Sequence, residues 1–175
     1  MKNEKIISIL VFLTLVTVAV MTRTTSHLWN LTAVGAVSLF AGAYFTKKWV
    51  AVLVPMLALM ISDLVIGFDR QSMSVYLAYA VIVALGFFLQ ISSARLKVLA
   101  FSLLGSILFF LITNFTFWYA ESLYPHNFAG LMQSYTMGLP FFRNQLLGDI
   151  GFTFVLFELA KVLKLEVRNS VDAQA

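Results

Sequence analysis

Three polar side chains, two of them able to exchange a proton, stand inside long apolar stretches of this sequence: Asp63, Asn114 and Asp149. Two carboxylates can serve as general acid and base. With an amide beside them, they can equally hold a polar ligand between apolar walls. Glu158 is a fourth, but Lys161 three residues on gives it a local partner at helical spacing. Other chemistries lack their parts. His27 and His126 both lie outside the apolar runs, so a serine nucleophile has no histidine base at depth. There is no H-E-x-x-H metal motif and no glycine-rich phosphate loop. The absence of cysteine removes disulfides, thiolate metal sites and cysteine nucleophiles. The expectation is a non-enzyme without metal or cofactor. An enzyme using Asp63 and Asp149 is a lesser alternative.

The elements that must position these residues follow from composition. Of 175 residues, 61% are apolar and 11% are charged. Soluble domains average about 45–50% apolar and about 25% charged. A soluble globule of this length could not hide so much apolar surface. A soluble enzyme, a disordered tail and a nucleic-acid module are therefore poor readings. The net charge of +4 comes from basic residues scattered between apolar runs, a membrane-surface pattern.

A bilayer-crossing helix takes about 20 mostly apolar residues. Six runs qualify or nearly so: 6–22, 31–46, 49–67, 74–90, 98–120 and 144–163. Their lengths favour helices over barrel strands, which would alternate in polarity over about 10 residues. The fold class expected is an all-α integral membrane bundle forming one domain over 1–175. Six spans put Lys2, Lys5, Lys47, Lys48, Arg95, Lys97, Lys161, Lys164 and Arg168 on one side, and Arg23, Arg70 and Arg143 on the other. Basic residues in short loops favour the cytoplasm, so both termini are expected there. The first run exceeds a signal-peptide core and lacks a clear cleavage pattern, so it is read as a retained span.

The stretch 127–142 is moderately apolar. Phe128, Leu131, Met132, Tyr135 and Leu139 fall on one helical face. Pro140 should end that helix, because a residue before proline avoids the helical region. The expectation is a short helix over about 127–140 lying in the outer interface, a break, and then the sixth span.

Depth brings the polar residues together. At 1.5 Å rise per residue, Asp63 lies roughly 6 Å below the outer boundary, Asn114 roughly 9 Å and Asp149 roughly 8 Å. Other groups converge on this level: Asn30 with His27 and Trp29 before run two, Tyr76 and Tyr79 in run four, Trp118, Tyr119 and Tyr124, and Arg143, Asn144 and Gln145. The candidate binding residues are Asp63, Asn114, Asp149, Trp118, Arg143, Asn30 and Tyr76. An interfacial aromatic belt accounts for several of the aromatics equally well, and Asp149 could instead pair with Arg143. Small residues also pattern, with Gly35, Ser38 and Gly42 on run two and Ser102 and Ser106 on run five. Such faces allow close helix contact, and internal packing is favoured over a partner interface.

Four stretches carry a family resemblance. They are Asn30-Leu31-Thr32-Ala33-Val34-Gly35-Ala36, Ser62-Asp63-Leu64-Val65-Ile66-Gly67-Phe68, Thr113-Asn114-Phe115-Thr116-Phe117-Trp118 with Tyr124-Pro125, and Leu139-Pro140-Phe141-Phe142-Arg143-Asn144 followed by Leu147-Gly148-Asp149. Together they resemble a family of small uncharacterised bacterial six-span membrane proteins. That family in turn resembles the substrate-binding S components of energy-coupling-factor vitamin transporters. The resemblance implies capture of a vitamin-like micronutrient at the outer face of the bacterial cytoplasmic membrane. It also implies partners: the lipid bilayer, the small-molecule ligand, and a coupling membrane protein with ATPase subunits. Nucleic acid is not among them. It assigns Asp63, Asn114 and Asp149 as binding or site-organising residues. One departure concerns the first span, which reads Ser8, Thr14, Thr17 and Ala19 where S components often carry an A-x-x-x-A docking face. A solitary transporter therefore stays open, as does a non-catalytic scaffold or assembly protein.

Overall fold

The computed structural model describes residues 2–25 and 30–165, with the side chains of 4–25 and 30–165. His27, Trp29 and the 168–175 tail lie outside the described residues. Six helices follow in order: α1 (Lys2–Thr25), α2 (Val34–Tyr44), α3 (Lys48–Ile66), α4 (Ser72–Gly86), α5 (Arg95–Ala120) and α6 (Phe128–Val162). No strand occurs among the described residues. Three helices, α1, α3 and α5, are long and apolar enough to cross a membrane. α2 and α4 are shorter apolar helices.

α2 is the axis of the bundle. Its sequence, VGAVSLFAGAY, is apolar or small on every side. A helix without a polar face belongs in an interior, and Val34 through Ala43 are all buried. α2 touches each of the other five helices. At 11 residues it spans roughly 16 Å, well short of the hydrocarbon thickness. Glycine makes its closest crossing. A Cβ on Gly42 would lie 2.2 Å from the Val83 carbonyl oxygen, and one on Gly86 2.3 Å from that of Leu39. α2 and α4 thus meet backbone to backbone. The small residues of α2 serve internal contacts here, with Ser38 fully buried.

Phe40 extends the core by meeting the Phe157 ring edge-on at 5.3 Å. Tyr79 of α4 and Phe109 of α5 pack at 4.7 Å. At the far end, Arg95 forks onto Glu158, with Nε donating to Oε1 at 3.0 Å and Nη2 to Oε2 at 2.7 Å. Lys161 donates to the same Oε1 at 3.1 Å. This two-sided arrangement ties the start of α5 to the end of α6. Lys161 is the local partner expected for Glu158; Arg95 is an addition visible only in three dimensions.

The break expected at Pro140 is absent. α6 runs unbroken for 35 residues, with Pro140 inside it. There is accordingly no separate interfacial helix over 127–140. That segment is the first part of α6, and it packs on α5. Ser134 Oγ donates to the Asn114 carbonyl at 3.0 Å, and the Tyr135 hydroxyl to that of Leu111 at 3.1 Å. Gly138 lets the helices close, since a Cβ there would sit 2.4 Å from Asn114 Oδ1. These tertiary contacts outweigh the local preference of a residue preceding proline. Asn127 caps the start, its Oδ1 accepting from the Gly130 amide at 3.0 Å.

A candidate ligand cavity

At one end of the bundle, α1, α3 and α5 finish while α2 and α4 begin. A cavity of about 460 Å³ opens there, between α5, the first half of α6 and the adjoining loops. Its walls alternate two chemistries. Phe109, Phe110, Phe117 and Phe142 supply aromatic surface, and Asn30, Gln71, Asn114 and Gln145 supply amides. Arg23 and Asp69 also reach it, with one charge of each sign.

Each polar group is set by its element. Asn114 sits on α5, where its Nδ2 donates to the Phe110 carbonyl at 2.9 Å, and its Oδ1 faces Gly138. Asn30 lies in the link before α2 with φ of 62°, a left-handed conformation that asparagine tolerates better than most residues. Arg23 comes from the last turn of α1. Its Nη1 donates to Asp63 Oδ1 and Ser62 Oγ on α3, and to the Leu59 carbonyl at 3.3 Å. Asp63 is 1% exposed, while the Arg23 side chain keeps 18%. The carboxylate is therefore sealed behind the guanidinium it holds.

Asp149 occupies a similar second rank. It is buried on α6, with Oδ2 lying 3.2 Å from Gln145 Nε2 and 2.7 Å from Ser106 Oγ. Ser106 Oγ is also 3.1 Å from the Ser102 carbonyl, and Ser102 and Thr153 hydroxyls meet at 3.2 Å. The other face of Asp149 presses on Gly35 of α2.

The expected trio therefore divides. Asn114 and Asn30 line the cavity; Asp63 and Asp149 stand behind its wall and act on it through Arg23 and Gln145. Tyr76 is not on the wall either. Its hydroxyl is buried and faces Asp63, whose Oδ2 is buried with it. Trp118 turns its indole N–H to the Pro125 carbonyl at 2.9 Å, and so fixes the loop after α5. Arg143 is exposed and does not line the cavity, and the partners of Asp149 are Ser106 and Gln145. Arg23 and Gln145 were not singled out as binding residues. Arg23 shares the level of Asp63 at the end of its helix, which is the signal that points to it.

Helices wrapped around a short buried axis, three of them able to cross a membrane, with a mixed aromatic and amide cavity at one end, define an all-helical, membrane-type bundle with a small-molecule-sized recess. The chain belongs to DUF6580, a family of unknown function, whose model matches residues 3–171. No curated protein and no solved structure matches it.

Proposed function

We propose that this chain is a six-span protein of the bacterial cytoplasmic membrane that captures a small vitamin-like molecule at its outer face for uptake. The cavity carries the reading. Its volume of about 460 Å³ falls within the roughly 300–1,000 Å³ usual for small-molecule sites. Aromatic walls with a few placed amides suit a planar, largely apolar ligand bearing hydrogen-bonding edges. Arg23 is balanced by Asp63, and Asp69 adds one negative charge at the rim. A neutral or zwitterionic ligand fits that balance.

Three further features support the placement. The basic residues cluster at the end remote from the cavity, which supports a cytoplasmic position for that end and both termini. On the six-span reading, α2 and α4 cross as short apolar helices shielded by longer neighbours, and α6 has the length at 35 residues. The resemblance to S components supplies the transport role, with a coupling membrane protein and ATPase subunits as the driving partners. A thermal-shift panel of vitamins and related heterocycles on purified protein tests the reading. At least one compound should raise the melting temperature of wild type and leave Asn114→Ala unmoved. A panel that moves neither protein counts against it.

A further inference from the structure

The Ser106 hydroxyl has one hydrogen and two acceptors within reach. Its Oγ lies 3.1 Å from the Ser102 carbonyl, one turn back, and 2.7 Å from Asp149 Oδ2. A helical serine commonly gives its hydrogen to the carbonyl four residues earlier. One hydrogen cannot serve both acceptors fully; given to the Ser102 carbonyl, it leaves the shorter contact to be made by a hydrogen on the acid. We propose that Asp149 is a proton-binding site, occupied at neutral pH, with Oδ2 donating to Ser106 Oγ and Ser106 donating to Ser102.

The surroundings favour the neutral acid. Asp149 is 4% exposed. α6 packs against α5 and α2. From α5 the acid meets the Ser106 hydroxyl, and from α2 the bare backbone of Gly35. On its own helix it meets the Gln145 amide. Tyr79 of α4 is the ionisable group in its field, and brings no positive charge. Arg23 of α1 is committed to Asp63. An ionised carboxylate among such neutral groups, inside an apolar bundle, is costly. The acid form is not. Its hydroxyl oxygen still accepts from Gln145 Nε2 at 3.2 Å.

Gln145 also lines the cavity, so the proton sits one hydrogen bond behind the cavity wall. On release the proton goes to a water that reaches Oδ2 from the cavity side as the Gln145 side chain swings off the acid. Ser106 then turns its hydrogen from the Ser102 carbonyl to the new carboxylate, and every atom is accounted for. This site goes beyond ligand capture and stands whether or not the cavity takes a micronutrient.

Infrared difference spectroscopy on the full chain in lipid nanodiscs at neutral pH tests it. The protonated-carboxyl carbonyl band should be present in wild type, shift in deuterium oxide, vanish in Asp149→Asn and persist in Asp63→Asn. No such band in wild type, or its survival in Asp149→Asn, overturns the proposal. If Asp149→Asn does not fold, Ser106→Ala decides. That variant removes the acceptor of the acid proton, so a band that moves supports the site and an unmoved band overturns it.

Discussion

A Cβ placed on Gly35 would lie 2.1 Å from Asp149 Oδ1 and 2.7 Å from its Cγ. The axial helix and the buried acid therefore occupy complementary space. Neither can grow without displacing the other, because the interior is close-packed. Gly35→Ala should destabilise the bundle by about 1–3 kcal/mol or more, the usual cost of overpacking. Gly151, on α6 with nothing within 4 Å of its Cβ position, is the control. Gly151→Ala should leave stability unchanged or raise it slightly. Thermal unfolding of both variants in detergent checks the pair.

The Arg23–Asp63 pair joins α1 to α3 across 40 residues of sequence. Removing one partner of a buried pair leaves a charge uncompensated, at about 3–5 kcal/mol. Asp63→Leu should approach that loss, reduced by the partial exposure of Arg23, and Arg23→Met should cost a similar amount. The double variant Arg23→Met with Asp63→Leu should recover most of it. A double-mutant cycle in unfolding free energy measures the coupling. Additive losses would mean that the pair is not a unit.

Cavity-wall residues should separate from their neighbours. Asn114→Ala or Gln145→Ala should weaken ligand binding about tenfold or more, the equivalent of about 1.4 kcal/mol for a lost hydrogen bond in a desolvated site. Trp118→Ala, which touches the 121–127 loop but not the wall, should bind near wild-type strength. Calorimetry with the compound found in the thermal-shift panel reads the difference.

The continuity of α6 has its own test. Spin labels at Gln133 and Leu147, both exposed, lie 14 residues apart on either side of Pro140. One helix places them roughly 20 Å apart with a narrow distribution. A break at Pro140 would give a broad one.

The outline of this fold was legible because it is written in composition and run length. Each apolar run overlaps a helix, though the second shrank from 31–46 to Val34–Tyr44 and the fourth, expected to reach 90, ends at Gly86. What failed was a local rule applied to a tertiary question. Pro140 forbids little when Ser134, Tyr135 and Gly138 are already fastened to α5. The site was half legible for a related reason. Rise per residue gives depth, and depth placed Asp63, Asn114 and Asp149 on one level. It does not give the direction in which each side chain points. Asn114 turns to the cavity, Asp63 to Arg23, and Asp149 to Gly35, Ser106 and Gln145. Direction depends on helix rotation, which packing around α2 decides.

Native mass spectrometry of the full chain, released from its own membrane in mild detergent, bears most directly on ligand capture. Wild type should carry a bound small molecule, lost or strongly depleted in the Asn114→Ala, Gln145→Ala double variant. Wild-type protein that flies bare, or a ligand retained equally by the double variant, would contradict ligand capture.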